Sequence, residues 1–352
     1  MNMDEFERYA AQLKSPKIKI RAKAAFKLGQ LGNSEAISWL EKSLTDISPI
    51  VRCRTANALS RLEDPRVVGL LITALNDPDD QVYGCAASAL SKIGNEQAIT
   101  TLINEVRHQE VPRLSIATNN LIKIGKPAVA SLINAFDNSS GRPRAYFLKA
   151  LGKIGDMSAS KVFRKAILDE DNDVFWVATA IQREIRDSDA VPALIASLEH
   201  KDTLRQVRAA RALWSSGDKR AVKRLTKVAE DKNRGELARC EAMLALGKLG
   251  GAEVVRPLLR GLNEESWRIQ WSALMGLSYT GDPKVVEFLL DLANERPDDI
   301  RYHTVIRNLG AFGSQLTLKE LESILRKRNH YDSRVQQTAK KSIEQLNLRW
   351  NK

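Results

Sequence analysis

The sequence predicts an all-α fold, a superhelix of about eleven two-helix repeats that runs through residues 1–352. Three observations predict it. A similar stretch of about twelve residues recurs every 30–33 residues, and a second amphipathic stretch precedes each copy. No run rich in Val, Ile and Thr alternates with the period of two that a half-buried strand requires. An internal period of this length is typical of stacked repeats that share one continuous core.

The recurring stretch reads as the second helix of each repeat, helix B. Residues 51–62, 144–155 and 239–250 each place Leu seven residues after an Arg and Leu or Ile ten residues after it. Glycine usually follows one residue later, and a glycine just past a helix tolerates the left-handed conformation that ends it. Eight of the ten closing positions are glycine, and the ten are Gly32, Glu63, Gly94, Gly125, Gly155, Asp187, Gly217, Gly250, Gly281 and Gly313.

The preceding stretch reads as the first helix, helix A. Residues 36–44, 67–75 and 191–198 repeat apolar side chains every three and four positions, as an amphipathic helix requires. Between the helices lie turns such as residues 76–80, rich in turn formers and helix caps. Because one helix pair cannot bury its apolar stripe alone, we expect all repeats to form a single body.

These motifs carry a family resemblance. The pattern of Arg52, Ala56, Leu59 and Leu62, with the period near 31, resembles short HEAT repeats of the phycobilisome-lyase-like type. The resemblance covers the whole chain and implies a right-handed α-α superhelix of the HEAT/armadillo type, with helix B lining its concave side. It also implies a structural ladder in which an Asp pairs with the Arg six residues later, as Asp46 does with Arg52 and, more weakly, Asn138 with Arg144.

The repeat at 156–187 is the least regular. The apolar stripe predicted for its second helix is shifted against the family pattern, and its closing residue is Asp187. A bend or a change of twist is therefore expected here, dividing the chain into segments 1–155 and 188–352. The predicted stripe consists of Val174, Val177, Ala178, Ile181 and Ile185.

Charge and cysteine content restrict the partner and the compartment. The net charge of +12, from 55 basic and 43 acidic residues, favours acidic partners, although it also serves solubility. The three cysteines, Cys53, Cys85 and Cys240, are far apart and odd in number, so no disulfide framework is expected. No secretory leader and no apolar run of about 18 residues is present, which predicts a cytoplasmic protein without a membrane partner.

Motifs for catalysis are absent from the sequence. The four histidines, His108, His200, His303 and His330, lie in different repeats without metal-ligand spacing, and no His-Glu dipeptide occurs. Nucleophile-elbow, phosphate-loop and dinucleotide-binding motifs are also missing. We therefore predict no catalytic residue, no metal and no cofactor.

Side chains that face solvent on the B helices predict a partner-binding groove. Those of the middle repeats are polar with scattered cations: Arg54, Asn57, Arg61, Ser88, Lys92, Asn119, Lys123, Lys149 and Lys153. Those of the C-terminal half combine aromatic, apolar and basic groups, which often anchor interfaces. That predicted groove consists of Arg208, Arg211, Trp214, Leu244, Lys248, Trp271, Met275, Tyr279 and Arg307. The alternative is that Trp214 and Trp271 fill space between repeats.

A second basic surface is predicted on the convex side. Residues 201–260 carry 15 basic and 7 acidic side chains. Cations spaced along one helix face could follow a phosphate backbone, or they could be an ordinary solvated face. This stripe consists of Lys219, Arg220, Lys223, Arg224, Lys227, Arg256 and Arg260.

Three functions remain open from the sequence. The first is a non-catalytic scaffold or adaptor that binds a macromolecule, a protein partner above all, in the groove. The second is nucleic-acid binding through the basic surfaces. The third follows from the family resemblance alone: a bilin lyase or chaperone-like subunit, the one case in which the chain would be an enzyme and bind a small molecule.

Overall fold

The computed structural model describes residues 3–108, 110–295, 299–312, 315–327 and 331–350. Over these residues it contains 22 α-helices and no strand, so the prediction of an all-α fold made of eleven helix pairs is confirmed. The odd-numbered helices correspond to helix A and the even-numbered ones to helix B. The predicted closing residue Gly313 lies outside the described residues.

The chain forms two compact units, of residues 1–162 and 163–352. In unit 1 each B helix packs on the next B helix and on its own A helix. The A helices are α1 (Met3–Gln12), α3 (Ile37–Ser43), α5 (Arg66–Ala74), α7 (Glu96–His108) and α9 (Val129–Asp137). The B helices are α2 (Ile18–Leu31), α4 (Pro49–Leu59), α6 (Asp80–Ile93), α8 (Arg113–Ile124) and α10 (Arg142–Ile154).

Unit 2 has six helix pairs in which each B helix packs on the next B helix, and the division between the units falls inside its first helix. The A helices are α11 (Ser160–Ile167), α13 (Val191–Ser197), α15 (Val222–Glu230), α17 (Ala252–Gly261), α19 (Pro283–Glu295) and α21 (Gln315–Lys327). The B helices are α12 (Asn172–Ile185), α14 (Thr203–Ser216), α16 (Glu236–Leu249), α18 (Trp267–Thr280), α20 (Ile300–Phe312) and α22 (Ser333–Trp350).

The irregular repeat keeps the regular phase, which corrects two details of the prediction. The left-handed residue that ends α12 is Arg186, with φ +57°, and not Asp187. The buried face of α12 includes Phe175, which is fully buried, whereas Val177 of the predicted stripe is only half-buried. Phe175 thus stands at the arginine position, and Arg186 follows eleven residues later as a closing glycine does elsewhere. The predicted bend and the predicted segments 1–155 and 188–352 stay predictions.

Small residues let neighbouring B helices approach at backbone distance. A Cβ added at Gly247 of α16 would lie 2.1 Å from the main-chain oxygen of Gly276 in α18. A Cβ at Gly29 of α2 would lie 2.6 Å from the Cα of Ala58 in α4. The glycines therefore set the helix separation at these two contacts, and the surrounding Leu and Ala side chains are buried.

The arginine ladder joins neighbouring repeats, so the predicted Asp46–Arg52 ion pair is wrong. Arg52 binds the Asp77 carboxylate of the following repeat, with Nε–Oδ2 at 2.6 Å and Nη2–Oδ1 at 2.8 Å. From Asp46 it reaches the main-chain oxygen, at 2.9 Å, and not the carboxylate, which is held by Arg21. Arg144 likewise donates to the main-chain oxygen of Phe136, at 3.2 Å, and not to Asn138.

In two repeats that lack the usual arginine, an arginine of the following repeat makes the ladder contacts instead. Tyr83 and Phe175, both fully buried, occupy the arginine position. In the following repeat Arg113 and Arg205 each stand thirty residues further on and lie over these rings, at 4.8 and 4.7 Å from the ring centres. Each also donates to main-chain oxygens of the preceding turn. The sequence pattern missed both because they stand one position before the expected one.

Acid should weaken this ladder. Burial raises the pKa of Asp77, but the Arg52 guanidinium and the Asp79 N–H outweigh it and leave this pKa below its ordinary value. A carboxyl with a lowered folded pKa stabilises above its unfolded pKa of about 4, and that contribution disappears as the pH falls through the folded value. We expect Asp77→Asn to lower the free energy of unfolding by about 2 kcal/mol at neutral pH and to flatten its decline below about pH 4.

Urea unfolding at neutral and acidic pH checks this expectation. Glu41→Gln is the control, because Glu41 is exposed and makes no ion pair within the described part of the chain. A loss of stability that is equally large at both pH values for Asp77→Asn would contradict the role given to its charge.

The structure also pairs two of the cysteines, contrary to the expectation of no disulfide. Cys53 of α4 and Cys85 of α6 are bonded, with their Cα atoms 5.3 Å apart. They lie 32 residues apart in the sequence but on neighbouring B helices, so stacking brings them together. Cys240 is free and half-buried. Within the described residues, every helix is too short or too polar to cross a membrane.

Candidate partner-binding site

Three consecutive B helices of unit 2 bring two aromatic rings and one cation together. The Lys248 Nζ of α16 lies 3.5 Å from the ring centre of Trp214 in α14 and 4.7 Å from that of Tyr279 in α18. Lys248 and Tyr279 occupy the same repeat position and Trp214 the one before it, all near the C-terminal ends of their helices, so regular stacking brings them together. An ammonium between two ring faces is held by attraction to both ring quadrupoles. We call these three residues the aromatic clamp.

A cleft of about 450 Å³ opens beside the aromatic clamp. Besides the clamp residues it is lined by Arg186, Ser215 and Gly217. Arg186 is the one described residue other than glycine with a left-handed backbone, a conformation that costs roughly 1–2 kcal/mol for an L-amino acid. Backbone strain of this kind is concentrated at functional sites, and here it places a guanidinium at the cleft.

A second cleft, of about 260 Å³, lies between α14 and α16. Its apolar wall includes Leu204 and Leu237, which are 50% and 56% exposed. Its polar wall includes Arg208, Arg211 and Glu241. The Arg211 Nε lies 3.0 Å from the Glu241 carboxylate, so this wall is partly neutralised. The cleft therefore offers an apolar contact beside a charged one.

Cations dominate the electrostatics of this face. Burial raises the pKa of Glu241, and the neighbouring Arg211, Arg183 and Lys248 act in the opposite direction. Burial also lowers the pKa of Lys248, an effect that the Glu241 charge opposes. One carboxylate thus stands among several cations, and the face retains an excess of positive charge.

Sequence reasoning missed three residues of this face. Glu241 occupies the same helical position as Arg208, two residues after the arginine position, so the rule that selected Arg208 also selects Glu241. Trp176 of α12 lies beneath Arg208, whose guanidinium carbon is 4.5 Å from its ring centre. Arg186 was missed because the closing position of this repeat was predicted one residue too late, at Asp187.

The predicted groove residues do not all meet. Trp271 lines a separate cleft of about 510 Å³ with A-helix residues such as Leu259 and Phe288. Leu244 is half-buried, and Met275 accepts a contact from the Asn308 amide at 3.1 Å. Arg307 is exposed and donates to Thr304 of its own helix at 3.0 Å. These four line neither the clamp cleft nor the Leu204 cleft.

The tryptophan of the clamp cleft and the one beneath Arg208 both have an unpaired donor. The indole Nε1 of Trp214 and that of Trp176 are buried, and neither has a hydrogen-bond partner in the described part of the protein. A buried donor without an acceptor costs about 1–3 kcal/mol. Filling space between repeats therefore does not account for all that these rings do, since an apolar ring would fill it without this cost.

Carboxylates neutralise much of the predicted convex stripe. Lys219, Arg220, Arg224 and Arg260 are paired with Glu253, Asp218, Glu199 and Glu230 at 3.6, 2.6, 2.6 and 2.7 Å. Lys223, Lys227 and Arg256 are exposed and have no ion pair within the described residues. A stripe with three unneutralised cations is a weaker site for a phosphate backbone than the sequence predicted, because such binding grows with the number of phosphates neutralised.

Comparison with known proteins identifies the repeats. The profile of HEAT repeats matches residues 7–83, 48–122, 191–267 and 235–304, more than half of the chain. The Phycocyanobilin lyase subunit alpha of Picosynechococcus sp. is 28% identical over 145 residues, 37% of this chain and 53% of the relative. The match thus spans about half the length of that relative. It confirms the predicted resemblance to HEAT repeats of the phycobilisome-lyase-like type.

Solved structures agree with this fold. A mutant of Kap121p superimposes with a TM-score of 0.64 at 12% identity, over 98% of this chain and 46% of that protein. Kap95 in the Kap95:Nup1 complex superimposes with a TM-score of 0.57 at 13% identity, over 99% of this chain and 56% of that one. At such low identity the likeness concerns the fold alone.

Proposed function

Because this chain belongs to the HEAT-repeat family, we propose that it is a non-catalytic scaffold that holds a protein partner on the B-helix face of unit 2. The aromatic clamp and the Leu204 cleft form the contact surface, with Arg186, Arg208 and Arg211 as charged contacts. Leu244, Trp271, Met275 and Arg307 of the predicted groove would extend it only if the partner reaches beyond the two clefts. A cytoplasmic location stays a prediction.

One observation carries this proposal: Lys248 is held between two aromatic rings at the edge of an open cleft. Tryptophan, tyrosine and arginine dominate the binding energy of protein interfaces, chiefly where apolar neighbours exclude water around them. Leu204 and Leu237 supply such neighbours, since half or more of each side chain is exposed. The excess of cations favours a partner segment that is acidic and carries an apolar anchor.

Trp214→Ala should weaken the partner complex at least about 30-fold, as expected for the loss of about 2 kcal/mol at an interface anchor. The purified chain is used to capture proteins from a lysate of the source cells. The captured protein is then purified, and its affinity for the wild type and for the variant is measured by calorimetric titration. Lys248→Ala should have a smaller effect in the same direction.

Trp39→Ala is the matched control. Trp39 is also half-buried and also lies near lysines, with Lys14 and Lys42 at 5.4 and 5.9 Å from its ring centre, but it belongs to α3 of unit 1. Equal losses of affinity for the two tryptophan variants, or none for Trp214→Ala, would refute the proposed surface.

The same titrations separate the alternatives. A single-stranded oligonucleotide that binds more tightly than the captured protein would assign the face to nucleic acid. A Trp214-dependent change in the visible absorption of added biliverdin would assign the cleft to a tetrapyrrole, the alternative that the lyase relative supports. Either result would replace the protein-scaffold proposal.

A further inference from the structure

The B helices of unit 1 are almost free of acidic residues. Helices α2, α4, α6, α8 and α10 together contain 13 basic residues and a single acidic one, Asp80. Asp80 is itself bound by Arg113, with Nε–Oδ1 at 2.8 Å. The acidic residues of unit 1 otherwise lie on A helices and in turns. Arg21, Arg52, Arg113 and Arg142 are nevertheless paired with carboxylates. The segregation therefore matters for the exposed cations of this face that lack such a pair.

Four exposed cations on this face occupy one repeat position in four successive repeats, the first just past the end of α4 and the others near the ends of α6, α8 and α10. They stand nine residues after the arginine position and are separated by 31, 31 and 30 residues. None forms an ion pair with a described residue, although Arg61 lies over the Phe26 ring at 5.0 Å and Lys123 donates to Asn120 at 3.3 Å. We call these residues the cation row: Arg61, Lys92, Lys123 and Lys153.

Small polar groups and an open cleft accompany the cation row. A cleft of about 600 Å³ lies between Lys92 and Lys123 and is lined by Ser88 and Ser91. The Ser91 hydroxyl donates to the side-chain oxygen of Asn120 at 3.1 Å, and Asn120 is buried, so the partly exposed Ser88 and Ser91 are the polar groups that the main chain of a bound segment can reach. Side chains of this size let an extended chain approach the helices closely.

The spacing of the row fits an extended peptide. Packed helices lie about 8–10 Å apart, so successive cations should follow at about that interval. A peptide in the extended polyproline II conformation has three residues per turn and advances about 3.1 Å per residue, so every third side chain falls on the same side at about the same interval. A nucleic acid strand would need a series of aromatic platforms for its bases. The described B helices of unit 1 offer two half-buried aromatic residues on their solvent side, Phe26 and Tyr146, so the face suits a peptide better.

We propose that the cation row binds an extended acidic protein segment with a carboxylate at about every third residue. Each ammonium or guanidinium pairs with one carboxylate, and Ser88 and Ser91 bond to the main chain between them. This surface belongs to unit 1 and is separate from the aromatic clamp of unit 2. The chain therefore has two binding surfaces of different chemistry. The face of unit 2 holds its partner through aromatic and apolar groups, and the cation row of unit 1 binds regularly spaced carboxylates.

The test uses the full chain and labelled peptides in fluorescence anisotropy. One peptide has five Glu-Gly-Ser triplets; a second has the same composition with its five glutamates in one block. We expect the spaced peptide to bind at least about fivefold more tightly than the block peptide. We expect Lys92→Ser combined with Lys123→Ser to weaken it about tenfold, since both side chains are exposed and their loss leaves the core intact.

Matched variants decide the outcome. Lys223→Ser combined with Lys227→Ser removes two exposed cations of unit 2 and should leave the affinity for the spaced peptide unchanged. Equal affinity for the two peptides, or equal losses in the two double variants, would overturn the proposal. So would tighter binding of an oligothymidine of the same charge than of the spaced peptide.

Discussion

Gly247→Ala is expected to lower the free energy of unfolding of unit 2 by about 3 kcal/mol or more. The added methyl group would lie 2.1 Å from the main-chain oxygen of Gly276 and 2.4 Å from its Cα. A backbone cannot rotate aside as a flexible side chain does, so α16 and α18 must separate. Separation would open gaps along the most extensive contact between B helices in the described part of the chain and disturb the alignment of Lys248 with Tyr279.

Urea unfolding followed by far-UV circular dichroism measures this effect. Gly84→Ala is the matched control, because Gly84 also lies inside a B helix but a Cβ there would meet no atom within 4 Å. It should stabilise the protein by about 0.5–1 kcal/mol, as alanine does at an unobstructed helix position. A loss below about 1 kcal/mol for Gly247→Ala would show that the two helices move apart easily and that the close approach is not needed.

Arg205→Ala should cost about 3 kcal/mol, the second large effect. Arg205 is 4% exposed, and its guanidinium donates to the main-chain oxygens of Asp169 and Glu170 at 2.7 and 2.6 Å. It also donates to the Asn172 side chain at 2.6 Å and covers the Phe175 ring. Alanine would remove these three hydrogen bonds and leave a void over the ring, and each lost hydrogen bond contributes about 0.5–1.5 kcal/mol.

Two further variants separate charge from geometry. Arg205→Lys keeps the charge but cannot reach three acceptors with one planar group, so it should recover less than half of the loss. Arg256→Ala removes an exposed arginine that has no ion pair within the described residues and should leave the unfolding transition unchanged. Full recovery by lysine would show that charge alone matters at this position.

The repeat architecture was predictable because its signals are local. Closing glycines such as Gly94 and Gly217 require a left-handed backbone, and the three-and-four spacing of apolar residues defines each helix without knowledge of its neighbours. The phase error at Arg186 arose where this signal is weakest, since an arginine there gives no sign of the left-handed conformation.

Contacts between repeats were harder to predict, because they depend on how far one helix is displaced from the next. Asp46 is close to Arg52 in sequence, yet the guanidinium reaches forward to Asp77. Cys53 and Cys85 meet for the same reason. Trp214 and Trp271 share a helix face by sequence pattern, but they lie near opposite ends of their helices and line different clefts.

In the turn after α12, the stability of the fold and the binding of a partner make opposite demands on one residue, Arg186. Arg186 holds a backbone conformation that a glycine would adopt without cost, and its side chain reaches the clamp cleft. The substitution Arg186→Gly would raise the free energy of unfolding and would also remove a positive charge from the cleft. A relative with glycine at this point should tolerate more heat and discriminate less among acidic partners.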